Sequence, residues 1–261
     1  METLTIVKIG GNIIDDEKKL SSFLESFASI QGNKILIHGG GKLATTVAEA
    51  LGIPQLLIDG RRITDSQTLK VITMVYAGYI NKNIIAGLQA NGCNAIGLTG
   101  ADANMVQAHK RAHLQTDYGF VGDIDSVNAG FIQNLLQAKY SLVIAPVTHD
   151  MKGVLLNTNA DTIAQAIASA MSEIYQVELI YCFEKNGVLL DAGDDSTVIR
   201  KINKSGYDEL KQKNIISAGM MPKLENAFAA IDKGVSKVII GNAAYLQDLI
   251  LHHSGTIIEN E

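Results

Sequence analysis

The 261-residue chain is 47% hydrophobic and carries a formal charge of −5, with no long basic run. That balance suits a sizeable core in one large α/β domain or two lobes, leaves little room for disorder and disfavours nucleic acid as a partner. The two cysteines, Cys93 and Cys182, form no CxxC pair, no apolar run reaches membrane-spanning length, and the chain opens on a strand without a signal peptide, so we expect reduced core thiols, a cytoplasmic location and no membrane partner.

In chain order, the run Thr3–Gly11 reads as a buried strand of a parallel sheet that ends in Lys8-Ile9-Gly10-Gly11. A lysine in such a strand is costly unless an anion pairs with it, and the glycines let backbone approach that anion; the alternative is a lysine that snorkels to water. Residues 16–31 place Leu20, Phe23, Leu24, Phe27 and Ile30 on one helical stripe, with Gly32 as a stop. A strand at 34–38 leads into His38-Gly39-Gly40-Gly41-Lys42 and a helix over about 42–51. A long helical pattern covers 66–91. Strands follow at 94–98 and 141–147, separated by a polar stretch whose middle, 102–127, reads as a hairpin or flap. The pattern continues with a helix at 161–172, strands at 178–183 and 196–202, helices at 204–213 and 222–233, a strand at 237–241, a helix at 243–252 and a strand at 255–258. Alternation of this kind implies a mostly parallel sheet with helices on both faces. We place the lobe boundary at the helix 161–172, giving lobes 1–172 and 173–261.

Five segments carry candidate chemistry. Lys8 with Gly10 and Gly11 suggests a phosphate site at a strand end. The glycines 39–41, between a strand and a helix, free backbone N–H groups beside the positive end of a helix dipole, although a tight packing turn is the alternative. The spacing fits neither a Walker A loop nor G-x-G-x-x-G. His38 reads as a satisfied strand-end histidine. Arg61-Arg62 precedes Asp65, a helix-cap candidate, and one arginine fork of the pair suits a carboxylate ligand. Asn157-Thr158-Asn159-Ala160-Asp161 crowds polar groups at a strand end, where open α/β sheets put ligands, while Asp161 would also suit a first helical turn on dipole grounds alone. In Gly219-Met220-Met221-Pro222-Lys223, Lys223 opposes the helix dipole unless a phosphate joins it or the side chain turns away to solvent.

With these motifs in view the chain resembles the amino acid kinase family over nearly its whole length. The carrying motifs are K-I-G-G at 8–11, H-G-G-G at 38–41, R-x-T-D at 62–65, Y-G-F-V-G-D-I at 118–124, N-T-N-A-D at 157–161 and G-M-M-P-K at 219–223. The resemblance is strongest to the branch that acts on an N-acyl-L-glutamate in arginine biosynthesis. It implies an open three-layer αβα sandwich with an N-terminal substrate lobe and a C-terminal nucleotide lobe. It implies ATP-dependent phosphorylation of the γ-carboxylate to an acyl phosphate, with Mg²⁺ carried by the nucleotide and no dedicated metal site. Lys8 and Lys223 would be the phosphoryl-site lysines and Asp161 the carboxylate that holds them. Gly10, Gly11, Gly40 and Gly41 would supply backbone donors, and Arg62 and Asn157 would grip the acylamino acid. Glu184, Gly187 and Gly219 would lie on the nucleotide. Glu184, followed by Lys185, stands where the family usually has an aspartate and small residues, which leaves the ribose and adenine contacts open. Acetyl is the acyl group expected by resemblance; a succinyl group would need an added cation, for which Lys110 and Arg111 are candidates. Kinases of the same fold acting on glutamate, aspartate, carbamate or a nucleoside monophosphate, and a non-catalytic nucleotide- or amino acid-binding regulator, are the alternatives. Finally, only Met1 and Glu2 precede the first strand, whereas arginine-inhibited members resemble one another in an extra N-terminal helix. The expectation is an arginine-insensitive homodimer that pairs through the helix 66–91, where Met74, Tyr76, Tyr79 and Ile80 are more apolar residues than one core stripe requires; the alternative is that they lie under the 102–127 flap in a monomer.

Overall fold

Strand β1 (Thr3–Ile9) lies between two parallel neighbours, β2 (Asn33–His38) and β11 (Gln176–Phe183), with Lys8 in register with Ile37 on one side and Tyr181 on the other. The structure, a computed structural model, describes all residues except 59, 60, 192, 214, 217–219 and 261, and not the side chains of Arg61 and Pro222. Around that centre the chain runs α1 (Gly11–Ile14), α2 (Glu17–Ala28), α3 (Gly41–Ala50), the short pair β3 (Leu57–Ile58) and β4 (Arg61–Arg62), α4 (Ser66–Ile72), a π-helical segment (Thr73–Ile80), α5 (Asn81–Ala90) and β5 (Ala95–Leu98). There follow β6 (Val106–Lys110), β7 (Gly122–Val127), α6 (Ala129–Gln137), β8 (Ser141–Ile144), β9 (Val147–His149), β10 (Leu155–Asn157) and α7 (Ala160–Met171). After β11 come β12 (Lys201–Ile202), α8 (Lys204–Gln212), α9 (Met221–Ile231), β13 (Lys237–Asn242), α10 (Leu246–Ile250) and β14 (Thr256–Ile258).

The main sheet has the order β12-β14-β13-β11-β1-β2-β8-β5. All its pairs are parallel except β13 with β14. Side chains alternate across it. Leu4, Ile6, Ile35 and Ile37 face one layer with Ile163, Ile167 and Leu224, while Val7, Ile9 and Leu36 face the other with Phe27, Ile84 and Leu88. This is the mostly parallel sheet with helices on both faces expected from the alternation, and the αβα sandwich that the resemblance implies. Each such fully buried aliphatic side chain contributes about 1.5–3 kcal/mol. Both cysteines are buried and unpaired, and burial pushes the Cys182 thiol up to about 12, so they behave as core residues. Lys34, also buried, donates to the carbonyls of Phe27, Ala28 and Ile30 at 3.1, 2.7 and 2.8 Å, capping the end of α2 with charge.

The stretch expected as a hairpin or flap forms an antiparallel β6–β7 pair inside a second sheet ordered β10-β9-β6-β7. Other elements differ from the sequence expectation. The strand expected at 196–202 is reduced to Lys201–Ile202, because Ile199 N–H instead donates to the Val188 carbonyl at 2.8 Å in a loop pairing. The helix 66–91 forms, but with π geometry in its middle, and the helix expected at 243–252 is a 3₁₀ turn (Ala243–Tyr245) followed by α10. Helix α6 stood in no sequence pattern we recognised; Asn128 caps it through Phe131 N–H, and Ile132 and Leu136 bury its inner face.

Candidate active site

β1 is where the sheet changes direction: β2 continues it to one side and β11 to the other. Ligands of open α/β sheets bind at the carboxyl ends of strands around such a point. A cleft of about 430 Å³ opens there, lined by Lys8, both glycine loops, Arg62, the Asn157–Asp161 segment and the hairpin residue Arg111.

Lys8 continues the row of Leu4 and Ile6 along β1, so its side chain turns toward the layer containing α7 and α9. There its Nζ meets Asp161 Oδ1 at 2.7 Å. Asp161 sits in the first turn of α7, whose N-terminus is capped by Asn159 accepting from the N–H groups of Asp161 and Thr162. Lys223, in the first turn of α9, reaches Asp161 Oδ2 at 3.1 Å. Thus one carboxylate holds two ammonium groups, and the structure brings Lys8, Asp161 and Lys223 together. Burial works against the charged carboxylate, but Lys8 and then Lys223 outweigh it and hold its pKa at about 2. Two cations against one anion leave the end of the cleft positive. Beneath the set, the buried Tyr181 hydroxyl donates to the Asp161 carbonyl at 3.2 Å and fixes the start of α7.

Gly40 shows why this loop is glycine. Its φ is +146°, and a Cβ there would stand 2.3 Å from Ile80 Cδ1 and 3.2 Å from the Tyr76 ring. The loop leads into α3, whose N-terminus has no side-chain cap and no acidic residue in its first turn, so backbone donors face the cleft. His38 behind it is buried. Its Nδ1–H donates to the Gly39 carbonyl at 2.8 Å, and its Nε2 accepts from Asn81 Nδ2 at 3.3 Å. Burial lowers its pKa to about 4, so at neutral pH it is an uncharged strut rather than an acid or base.

Arg62 and Asn157 both line the cleft. Arg62 Nη2 donates to Gly41 O and Thr45 Oγ1, each at 2.7 Å, and its Nη1 donates to Gln55. Asn157 Nδ2 donates to Thr64 Oγ1 at 3.0 Å. Asp65 is the expected cap of α4, accepting from Thr68 N–H at 2.7 Å. Of the two candidate cations on the hairpin, Lys110 points out to the exposed Asp117, whereas Arg111 lines the cleft and is paired with Asp123.

The nucleotide-side expectations divide. Glu184 is exposed, and its carbonyl accepts from Asn242 Nδ2 at 3.0 Å. Gly187 is buried and lines a separate cleft of about 100 Å³ with Lys185, Ile216 and Met220. Gly219 lies outside the described residues. Sequence reasoning missed Tyr76 as a lining residue, whereas Thr158, part of the polar cluster expected at a strand end, lines the cleft. It assigned Tyr76 and Ile80 to an outer dimer face; both are buried against Gly40 instead, while Met74 and Tyr79 are the exposed members of that set. The reason is the π geometry, which rotates the helix face relative to a 3.6-residue period. Among the described residues no helix is long and apolar enough to cross a membrane, and no group of three His, Cys, Asp or Glu side chains gathers as a metal cage.

The model of the amino acid kinase family matches residues 3–242. The chain is 52% identical over 258 residues to an acetylglutamate kinase of Phocaeicola vulgatus, covering 99% of each chain. It is 54% identical over 251 residues to an acetylglutamate kinase of Cytophaga hutchinsonii, covering 96% of this chain and 95% of that one. Among solved structures, carbamate kinase from Giardia lamblia bound to AMP-PNP shares the fold, with a TM-score of 0.72 at 14% identity over 100% of this chain and 99% of that one.

Proposed function

The chain belongs to the amino acid kinase family, and from that premise we propose that it transfers the γ-phosphoryl group of ATP to the γ-carboxylate of N-acetyl-L-glutamate, as in arginine biosynthesis. The observation that carries the reading is the Lys8–Asp161–Lys223 set at the end of a glycine-lined cleft, in a chain about half identical to acetylglutamate kinases. A carboxylate is already a nucleophile, so the reaction asks for no base, and the neutral, buried His38 offers none. The difficulty is to align two anions and spread the charge of the transferring group. Lys8 and Lys223, spaced by Asp161, supply positive charge where that charge develops, and the uncapped N-terminus of α3 adds backbone donors. A Mg²⁺ ion brought by the nucleotide would supply charge neutralisation at the phosphates; Asp161 is already engaged by two ammonium groups and is a poor free ligand for it.

Residues 1–172 hold the acylamino acid, with Arg62 on its α-carboxylate and Asn157 on its acylamino group, and residues 173–261 hold ATP. Met74 and Tyr79, exposed on the long helix, support a two-fold homodimer. A second reading concerns only the acyl group. Arg111 places a cation on the cleft wall, which suits the extra carboxylate of an N-succinyl substrate, although Asp123 already takes part of its charge. Hydroxylamine trapping tests the activity: hydroxamate should form only with ATP and an N-acylglutamate together. Its absence with both, in protein that binds ATP, would sink the reading. Rates on N-acetyl- and N-succinyl-glutamate decide the acyl group.

A further inference from the structure

Tyr76 stands in the cleft without a role in the mechanism above. It is carried by the π-helical segment, a geometry that recurs at functional sites because it displaces one side chain from the regular helix face. Its ring closes over Gly40, and its hydroxyl goes further. A Cβ built on Gly41 would lie 3.6 Å from Tyr76 Oη and 3.7 Å from Arg62 Nη2. Glycine leaves that point empty, and both residues line the cleft beside it. Two donor groups therefore flank one small space, one charged and one neutral; Arg62 Nη2 spends its two N–H groups on Gly41 O and Thr45 Oγ1, and a carboxylate bound there would take one of them over. Burial raises the phenol's pKa, with Arg62 opposing, so the hydroxyl keeps its proton at neutral pH. A protonated phenol beside a guanidinium fits a carboxylate that accepts from both.

We propose that Tyr76 is a substrate-binding and specificity residue whose hydroxyl donates, beside Arg62, to the α-carboxylate of the acylamino acid. This rests on the proposed function, since it needs Arg62 to face that carboxylate.

The experiment compares wild type, Tyr76→Phe and Tyr76→Leu in steady-state kinetics on N-acetylglutamate. Tyr76→Phe keeps the ring over Gly40 and removes only the hydroxyl. It should raise the acylglutamate KM roughly 10-fold or more, the loss of a hydrogen bond to a charged group, with kcat and the ATP KM little changed. In an Arg62→Ala background the same change should cost much less, because the two donors share one ligand group. If Tyr76→Phe matches wild type and only Tyr76→Leu raises KM, the ring is packing alone and the proposal is overturned. A full, additive loss in the Arg62→Ala background overturns it as well. Failure of the wild type to phosphorylate any N-acylglutamate would instead sink the proposed function, so the two failures are separable.

Discussion

Lys8 and Lys223 reach the same carboxylate from two differently built walls. Lys8 comes from the central strand, hydrogen-bonded to parallel neighbours on both sides; its side chain is 11% exposed and its ion pair is 2.7 Å long. Lys223 comes from the first turn of α9, whose N-cap Met220 offers no side-chain bond; it is 24% exposed and its ion pair is 3.1 Å long. A strand-borne group inherits the rigidity of the ladder, whereas a first-turn group is positioned mainly by its own partner. The Lys8 wall, which we propose faces the substrate, is thus set by the sheet, and the Lys223 wall, which we propose faces the nucleotide, by a local ion pair.

Replacing either lysine by alanine should lower kcat by about 10²–10³-fold with little change in acylglutamate KM, because each donor acts on transition-state charge. Arginine replacements sharpen the contrast. Lys8→Arg has no room to adjust between two strands and should stay as inactive as alanine, while Lys223→Arg, nearer solvent, should recover part of the rate. Equal recovery in kcat at both positions would erase the distinction between the walls.

The next effect belongs wholly to the sheet-built wall. His38 has its folded pKa lowered to about 4 by burial, against 6.5 when unfolded. Between those values the unfolded chain binds the proton and the folded one does not, so stability is complete above pH 6.5 and falls as pH drops toward 4. The difference corresponds to about 3 kcal/mol. Denaturant titrations at pH 7 and near pH 4 should show that loss in wild type and a smaller one in His38→Gln. An unchanged slope in the variant would mean that the histidine is not the neutral strut behind the glycine loop.

Arg62→Ala should raise the acylglutamate KM by roughly 30- to 150-fold, or about 2–3 kcal/mol, and leave the ATP KM near wild type. A selective loss of ATP affinity would reverse the assignment of the two walls.

The two walls were also unequally legible in the sequence. Lys8 and Lys223 could be read because each violates a local rule, a lysine in a buried strand and a cation at a helix start, whereas Asp161 obeys the dipole rule and stood out only through the polar cluster around it and the family resemblance. His38 and Asp65 had local explanations, and the structure agrees with both. Tyr76 was misread because its placement depends on the π geometry, which no hydrophobic period reveals. Helix α6 was missed although Phe131, Ile132, Leu135 and Leu136 fall at helical spacing; at nine residues it is short. On the nucleotide side, the contact between Gly187 and β14 joins residues 69 positions apart, and nothing local encodes it.

That glycine gives the smallest and most discriminating test. The family resemblance places Gly187 on the nucleotide, yet a Cβ there would stand 2.7 Å from Thr256 Oγ1 and 2.8 Å from Val198 Cγ1. Thr256 Oγ1 cannot easily yield, because it accepts from Val188 N–H at 2.8 Å and donates to the Ile199 carbonyl at 2.6 Å. Gly187→Ala should therefore push β14 from the loop and cost about 1–3 kcal/mol of stability, the usual range for overpacking. Calorimetry would read this as roughly 2–4 °C of Tm per kcal/mol. In the variant that remains folded, the ATP KM should change little. An intact Tm with a weakened ATP KM would show instead that the glycine serves the nucleotide directly, and that the nucleotide wall is as closely fitted to its ligand as the substrate wall.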